Sequence, residues 1–371
     1  MRRAIFSLLL LSVMSGTSNT QVNFRGQVAA SFLKSGRTDA PRAIDNGHPT
    51  FGWETDLFLD ALIGDRVAVL SSYRVDQTER LFFDYVAIRV MHLTPADLTL
   101  QVGKFDMPFG NLGERRFPGS NALYGLPLLY DYRTPVQTHY VTESAMAAAR
   151  GYGAGLSLLD AGMYDIGAEV YGAWGIFTYA LAVENGTVST PAYGNQNSNN
   201  DVGKILRCTA TPLMGLTIVA GITEGAYLND AYNSAASGAD FSRYRQRAGE
   251  LDVAFSTGHL VLYGEGVYGS WDVEFADRDE TLGMFGYYGE GKYALSPRLY
   301  VALRMNGLVF QKVRLGGIDQ RWDYNVNEWE GGFGYYLDRD VLLKAVRRET
   351  RTYGGSRPKD YLTVAQLAVL F

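Results

Sequence analysis

A single cysteine, Cys208, in 371 residues excludes an intramolecular disulfide and any site built from several thiolates. The four histidines, His48, His92, His139 and His259, fall in separate segments with no His-x-x-x-His pair, so neither a metal centre nor a cofactor is expected. A Gly-x-Ser-x-Gly elbow is also missing, which removes the commonest hydrolase signature. Basic charge is not in excess, with Lys+Arg at 34 against Asp+Glu at 39, and this gives no support for a nucleic-acid partner. Beyond the first dozen residues no apolar run approaches the ~20 residues that a helix needs to cross a bilayer. Mean hydropathy is −0.10.

Glycine and aromatic residues are abundant instead: 42 Gly, 25 Tyr, 18 Phe and 5 Trp, against only 11 Pro. Such a balance suits a membrane β-barrel, where aromatics occupy two interfacial belts and glycine eases sheet curvature. Barrel strands alternate apolar-out and polar-in, so their mean hydropathy is near neutral. Lone Cys208 is then expected to be buried or lipid-facing. At the amino end, Arg2 and Arg3 precede the apolar run Ala4–Val13 and the small residues Ser15, Gly16, Thr17 and Ser18. This is the layout of a cleaved export signal, assigned to residues 1–20, with cleavage between about 15 and 20. At the other end, Tyr361–Phe371 alternates to its last residue, an aromatic that belongs in a lipid-facing girdle.

Period-2 alternation divides residues 21–371 into about 16 strands, within a range of 14–18. The strands begin with Val22–Lys34, Phe51–Ile63, Arg66–Val75, Leu81–His92 and Leu98–Asp106. After a long interruption they resume at Tyr164–Gly172 and continue to Asp360–Phe371. Tight turns such as Gly64-Asp65, Trp174-Gly175, Thr257-Gly258 and Asp338-Arg339-Asp340 alternate with longer polar connections at 35–50, 185–201 and 227–243. Short turns on one side and long loops on the other define one transmembrane antiparallel barrel, the short side being periplasmic.

Each strand also shows its facing. Trp53, Leu57, Leu59, Ala61 and Ile63 oppose Glu54, Asp56 and Asp60; Phe82, Val86, Ile88 and Val90 oppose Tyr85 and Arg89. Further on, Leu303 and Met305 oppose Arg304 and Asn306, and Trp329 and Phe333 oppose Glu328 and Glu330. A midplane charge facing lipid costs about 2–4 kcal/mol, so the charged faces point inward. Sixteen strands leave a lumen too wide for strand side chains to fill, and the expectation is a hydrated channel without a packed core.

One connection breaks the pattern, running from Pro108 to about Met163. Loops of this length are uncommon unless they have a function. Its content of Phe109, Leu112, Phe117, Leu123, Tyr124, Leu128, Leu129, Tyr130 and Tyr132 requires a wall to pack on, and the barrel interior is the one available. Residues 108–163 are therefore assigned as a constriction loop folded into the lumen. Its bases Arg115, Arg116 and Arg133 are expected at the constriction, facing Glu54, Asp56 and Asp60 across it, because fixed charges at a narrow point set ion preference. Arg89, Arg207, Arg304, Glu328 and Glu330 are expected to line the pore. The tract Met146–Ala149 is read as one helical turn.

Taken together, the barrel pattern, the terminal phenylalanine and the inward third loop resemble the bacterial outer-membrane porin superfamily. The segment Val102-Gly103-Lys104-Phe105-Asp106-Met107-Pro108-Phe109-Gly110 is similar to the strand-end motif of phosphate-selective-type porins, where it opens the constriction loop. The arginine ladder of that subgroup has no counterpart here. The resemblance implies a Gram-negative outer-membrane channel, not an enzyme, that passes small hydrophilic solutes or ions. It also implies a lipid-bilayer environment, a homotrimer, and recognition by the barrel-assembly machinery through the strand ending at Phe371. A specific uptake channel for an anion or chelate, a barrel enzyme with a rim Ser-His or Asp-His pair, and an adhesin are the alternatives.

Overall fold

The computed structural model describes residues 20–36, 48–95, 97–139, 141–151, 153, 155–191, 199–229, 241–275, 278–355 and 359–371. The export signal expected at 1–20 lies outside them except for Thr20. The chain forms β1 (Thr20–Ser35), β2 (Thr50–Ile63), β3 (Val67–Asp76), β4 (Leu81–Val90) and β5 (Thr99–Asp106) before the long loop. After it come β6 (Tyr164–Trp174), β7 (Phe177–Glu184), β8 (Gly203–Leu213), β9 (Leu216–Ala226) and β10 (Arg245–Thr257). The chain continues through β11 (Leu260–Phe275), β12 (Arg278–Ser296) and β13 (Leu299–Phe310). A small hairpin, β14 (Lys312–Leu315) and β15 (Ile318–Arg321), precedes β16 (Val326–Asp338), β17 (Val341–Thr352) and β18 (Lys359–Leu370).

Apart from that hairpin, sixteen strands close into one antiparallel barrel. They correspond one to one with the alternating segments of the sequence. The seam pairs β1 with β18, from Gln27 opposite Leu370 to Ser35 opposite Leu362. Gly26 and Phe371 exchange backbone hydrogen bonds of 2.8 and 2.9 Å. The chain thus ends inside the ladder, and no edge is left open.

Alternation sets the two faces. On β13, Leu303 is 54% exposed on the outer wall while its neighbour Arg304 is 2% exposed inside. Cys208 shares the exposed outer face of β8 with Leu206. One strand departs from the expected facing. A register shift between Ser72 and Tyr73 places an extra residue of β4 opposite β3, and such a bulge reverses side-chain direction beyond it. Phe82, expected on the lipid side with Val86, therefore lies inside with Asp84, and Phe83 takes the outer position.

The lumen is also more structured than expected. Trp271, Phe275, Phe310, Trp322, Tyr130 and Tyr132 are fully buried within the barrel. Trp322 packs edge-on against Phe310 at 4.8 Å and against Trp271 at 5.9 Å. The strands supply only part of this core; the long loop and the β13–β16 connection supply the rest. Burying each large apolar side chain contributes about 1.5–3 kcal/mol, so this part of the interior is packed as in a soluble protein.

Candidate pore constriction

The loop between β5 and β6 begins in a run whose spacing is set by backbone contacts. Gly103 has φ +132°, and a Cβ there would lie 2.4 Å from the Val86 carbonyl oxygen of the neighbouring strand. Lys104 donates to the Phe83 carbonyl at 2.7 Å. Phe105, Met107 and Phe109 are buried. At Gly110 (φ +78°) the chain turns across the lumen; its N–H donates to Glu250 and its carbonyl accepts from Arg207 at 2.7 Å.

From there the loop is bound to the opposite wall by polar side chains reaching its backbone. The Lys344 ammonium donates to the carbonyls of Pro118, Asn121 and Leu123 at 2.8, 3.0 and 3.0 Å. Gln27 accepts from Gly119 N–H at 2.9 Å, Glu330 from Tyr124 N–H at 3.0 Å, and Tyr300 donates to Ala122 at 3.1 Å. Arg304 pairs with Glu290 at 2.7 Å and Glu330 at 3.1 Å while reaching the Gly125 carbonyl. Farther along, Tyr130 donates to Glu265 at 2.9 Å and Tyr132 to Asp323 at 3.1 Å. A helix spans Glu143–Ala148, capped by Thr142, slightly longer and earlier than the turn expected at 146–149. Glu143 accepts from Gly316 N–H of the β14–β15 turn at 2.6 Å.

Two cavities remain on the uncovered side. The outer one, about 970 Å³, lies between the loop and β2–β5. The inner one, about 800 Å³, reaches toward the short turns past Arg89, Glu169, Tyr171 and Arg207. Among the residues lining them, Arg116 alone borders both. Its guanidinium pairs with Asp106 at 2.6 Å, donates to the Gly162 carbonyl at 2.5 Å and lies 4.6 Å over the Tyr164 ring. Burial disfavours its charge, but Asp106 together with Tyr164 and Tyr130 more than offsets this and holds it cationic.

The structure sorts the expected site residues into three groups. Arg116, Arg133, Glu54 and Asp56 line the outer cavity together, and Arg89 and Arg207 line the inner one. Arg115 points away, into the covered wall. It donates to Tyr288 at 2.7 Å and stacks 3.7 Å over Tyr263. Arg304, Glu328 and Glu330, expected to line the pore, are 0–2% exposed beneath the loop. Asp60 lies toward the short-turn end, 3.5 Å from Arg25.

Sequence reading passed over several residues of the outer cavity: Arg74, Asp84, Lys104, Asp160 and Lys344. For Arg74 a signal was present, because the turn at Gly64-Asp65 fixes a register that sets it opposite Asp56. Asp160, in the loop, is raised to about 6 by burial. The outer cavity carries Glu54, Asp56, Asp84, Asp131 and Asp160 against Arg74, Lys104, Arg116, Arg133 and Lys344, a field without net sign.

A closed sixteen-strand barrel with an inward third loop is the fold of the bacterial outer-membrane porins. OmpF of Salmonella typhi is similar with a TM-score of 0.60 at 9% identity, over 95% of this chain and 98% of that one. OmpT, an outer-membrane protein of Vibrio cholerae, gives 0.60 at 10% identity over 96% and 99%. An anion-selective porin from Comamonas acidovorans gives 0.56 at 10% identity over 95% and 100%. At such identities the likeness is one of fold. Neither a protein-family model nor a curated protein matches the sequence.

Proposed function

We propose that this chain is a passive outer-membrane diffusion channel for small hydrophilic solutes and ions, exported by residues 1–20 and folded as one barrel over 21–371. One observation carries the reading: two cavities bordered by charged side chains meet at Arg116, beside a loop bound to the opposite wall. Fixed charges of both signs at that point favour weak ion selectivity, since a permeating ion meets attraction and repulsion together. The apolar outer wall suits lipid contact and association into a homotrimer. Phe371, 58% exposed beside Phe24, offers the C-terminal aromatic by which assembly machinery would recognise the strand.

Reconstitution in a planar bilayer tests the proposal. Discrete current steps of at least the order of tens of picosiemens are expected for a water-filled pore. A folded barrel that stays electrically silent overturns it.

A further inference from the structure

The outer cavity holds two opposite charges, Glu54 and Arg74, that do not pair directly with each other. No hydrogen bond reaches the Glu54 carboxylate among the described residues. Arg74 has its Nε buried without a hydrogen-bond partner among the described residues, and its ion pair with Asp84 is 3.5 Å long. Its guanidinium lies 5.1 Å over the Phe82 ring. Register explains why the two groups stay apart yet within reach of one small molecule. Asp56 faces Arg74 directly, so Glu54 is the diagonal neighbour of Arg74 across β2 and β3, at a spacing of about 7–8 Å. Elsewhere in the cavity the cations are engaged. Lys344 is held by loop carbonyls and Arg116 by Asp106.

A solute bearing one charge gains little here. An anion drawn to Arg74 meets Glu54 and Asp56, and a cation drawn to Glu54 meets Arg74; like-charge juxtaposition opposes each. A molecule with both charges close together satisfies both. We propose, building on the channel reading above, that Glu54 and Arg74 form a recognition site for small zwitterions of the α-amino-acid type. Glu54 takes the ammonium and Arg74 the carboxylate, while Phe82 and Tyr124 supply apolar surface for the side chain. The cavity of about 970 Å³ admits such a solute with its hydration. The attraction is that of partly solvated ion pairs, strong enough to enrich the solute at the mouth and too weak to retain it.

Swelling of proteoliposomes in L-glutamine and in D-arabinose, an uncharged solute of similar size, tests the site. Glutamine is expected to enter wild type about two- to five-fold faster than arabinose, the range that one solvated ion pair gives. Glu54→Gln and Arg74→Gln should each bring the ratio of glutamine to arabinose entry, measured within the same variant, down toward one. Equal entry of both solutes through wild type overturns the proposal, as does a glutamine advantage that survives both variants. Arabinose entry reports an open, folded channel independently. Loss of swelling with both solutes in wild type would instead overturn the channel reading, and this site with it.

Discussion

The two halves of the barrel interior use the same residue types for different ends. On β10–β13 and β16–β18, inward charges meet the loop: Lys344 grips three of its carbonyls, Glu330 accepts its Tyr124 N–H, and Glu250 accepts its Gly110 N–H. On β2–β8, inward charges such as Glu54, Arg74 and Arg89 border open cavities. Both sets lie on charged faces of alternating strands, and nothing in the strand pattern separates them. The position of the loop does. A charge that faces the lumen is a pore residue only where no second layer covers it; beneath that layer it is an anchor.

The sharpest way to break this comparison is to cut the anchor. Hydrogen bonds from a charged donor contribute about 1.5–3 kcal/mol each, and the partners left behind are buried. Lys344→Met should therefore release residues 118–125, seen as chymotryptic cleavage after Leu123 or Tyr124 in a barrel whose circular dichroism is unchanged. Lys104→Met, on the open side, should leave the loop resistant. Equal protection in both variants would show that the clamp does not hold the covered wall.

A smaller effect separates neighbours in sequence. Arg116 borders both cavities whereas Arg115 is enclosed between Tyr263 and Tyr288. Charges act on permeating ions only within a screening length of about 8 Å. Arg116→Ala should shift the reversal potential in a salt gradient toward cations by on the order of ten millivolts. Arg115→Ala should shift it far less and lower thermal stability instead. The reverse order would place the constriction on the wrong side of the loop.

The smallest expected effect is a titration. Burial raises Asp160 to about 6, above its usual 3.8, so the folded loop binds a proton more readily than the unfolded chain. The stability it contributes is complete below about pH 3.8 and falls as pH rises through 6. In the same window Asp160 gives up its negative charge in the outer cavity on acidification. Reversal potentials should accordingly move toward anions between pH 7 and 5 in wild type, and Asp160→Asn should reduce that movement.

Architecture was largely legible because it rests on local regularities. The period of two gave the strands, tight turns gave their pairing, and the length and apolar content of 108–163 gave an inward loop. Facing failed at Phe82, where the bulged residue leaves the alternation without any change of composition. Site assignment failed for a different reason. Arg304, Glu328 and Glu330 differ from Glu54 and Arg89 only in what lies over them, and that depends on the three-dimensional path of a chain segment with no period of its own. Arg74 was recoverable from hairpin register, but it acquires meaning only beside Glu54 and the bulge that turns Asp84 inward.

The anchors of the loop also bear on how the barrel is assembled. Gln27 lies on the first strand and Lys344 on the penultimate one, and both hold backbone within residues 118–123. These strands come within reach of one another only when β1 meets β18. The complete dock for a segment in the middle of the chain therefore does not exist until the two ends of the sheet are joined. The dependence runs one way: the seam pairs its own backbone groups, whereas the loop docks fully only once the seam has closed. An ill-formed seam would leave the loop undocked, so the segment that narrows the passage also reports that the wall around it has closed.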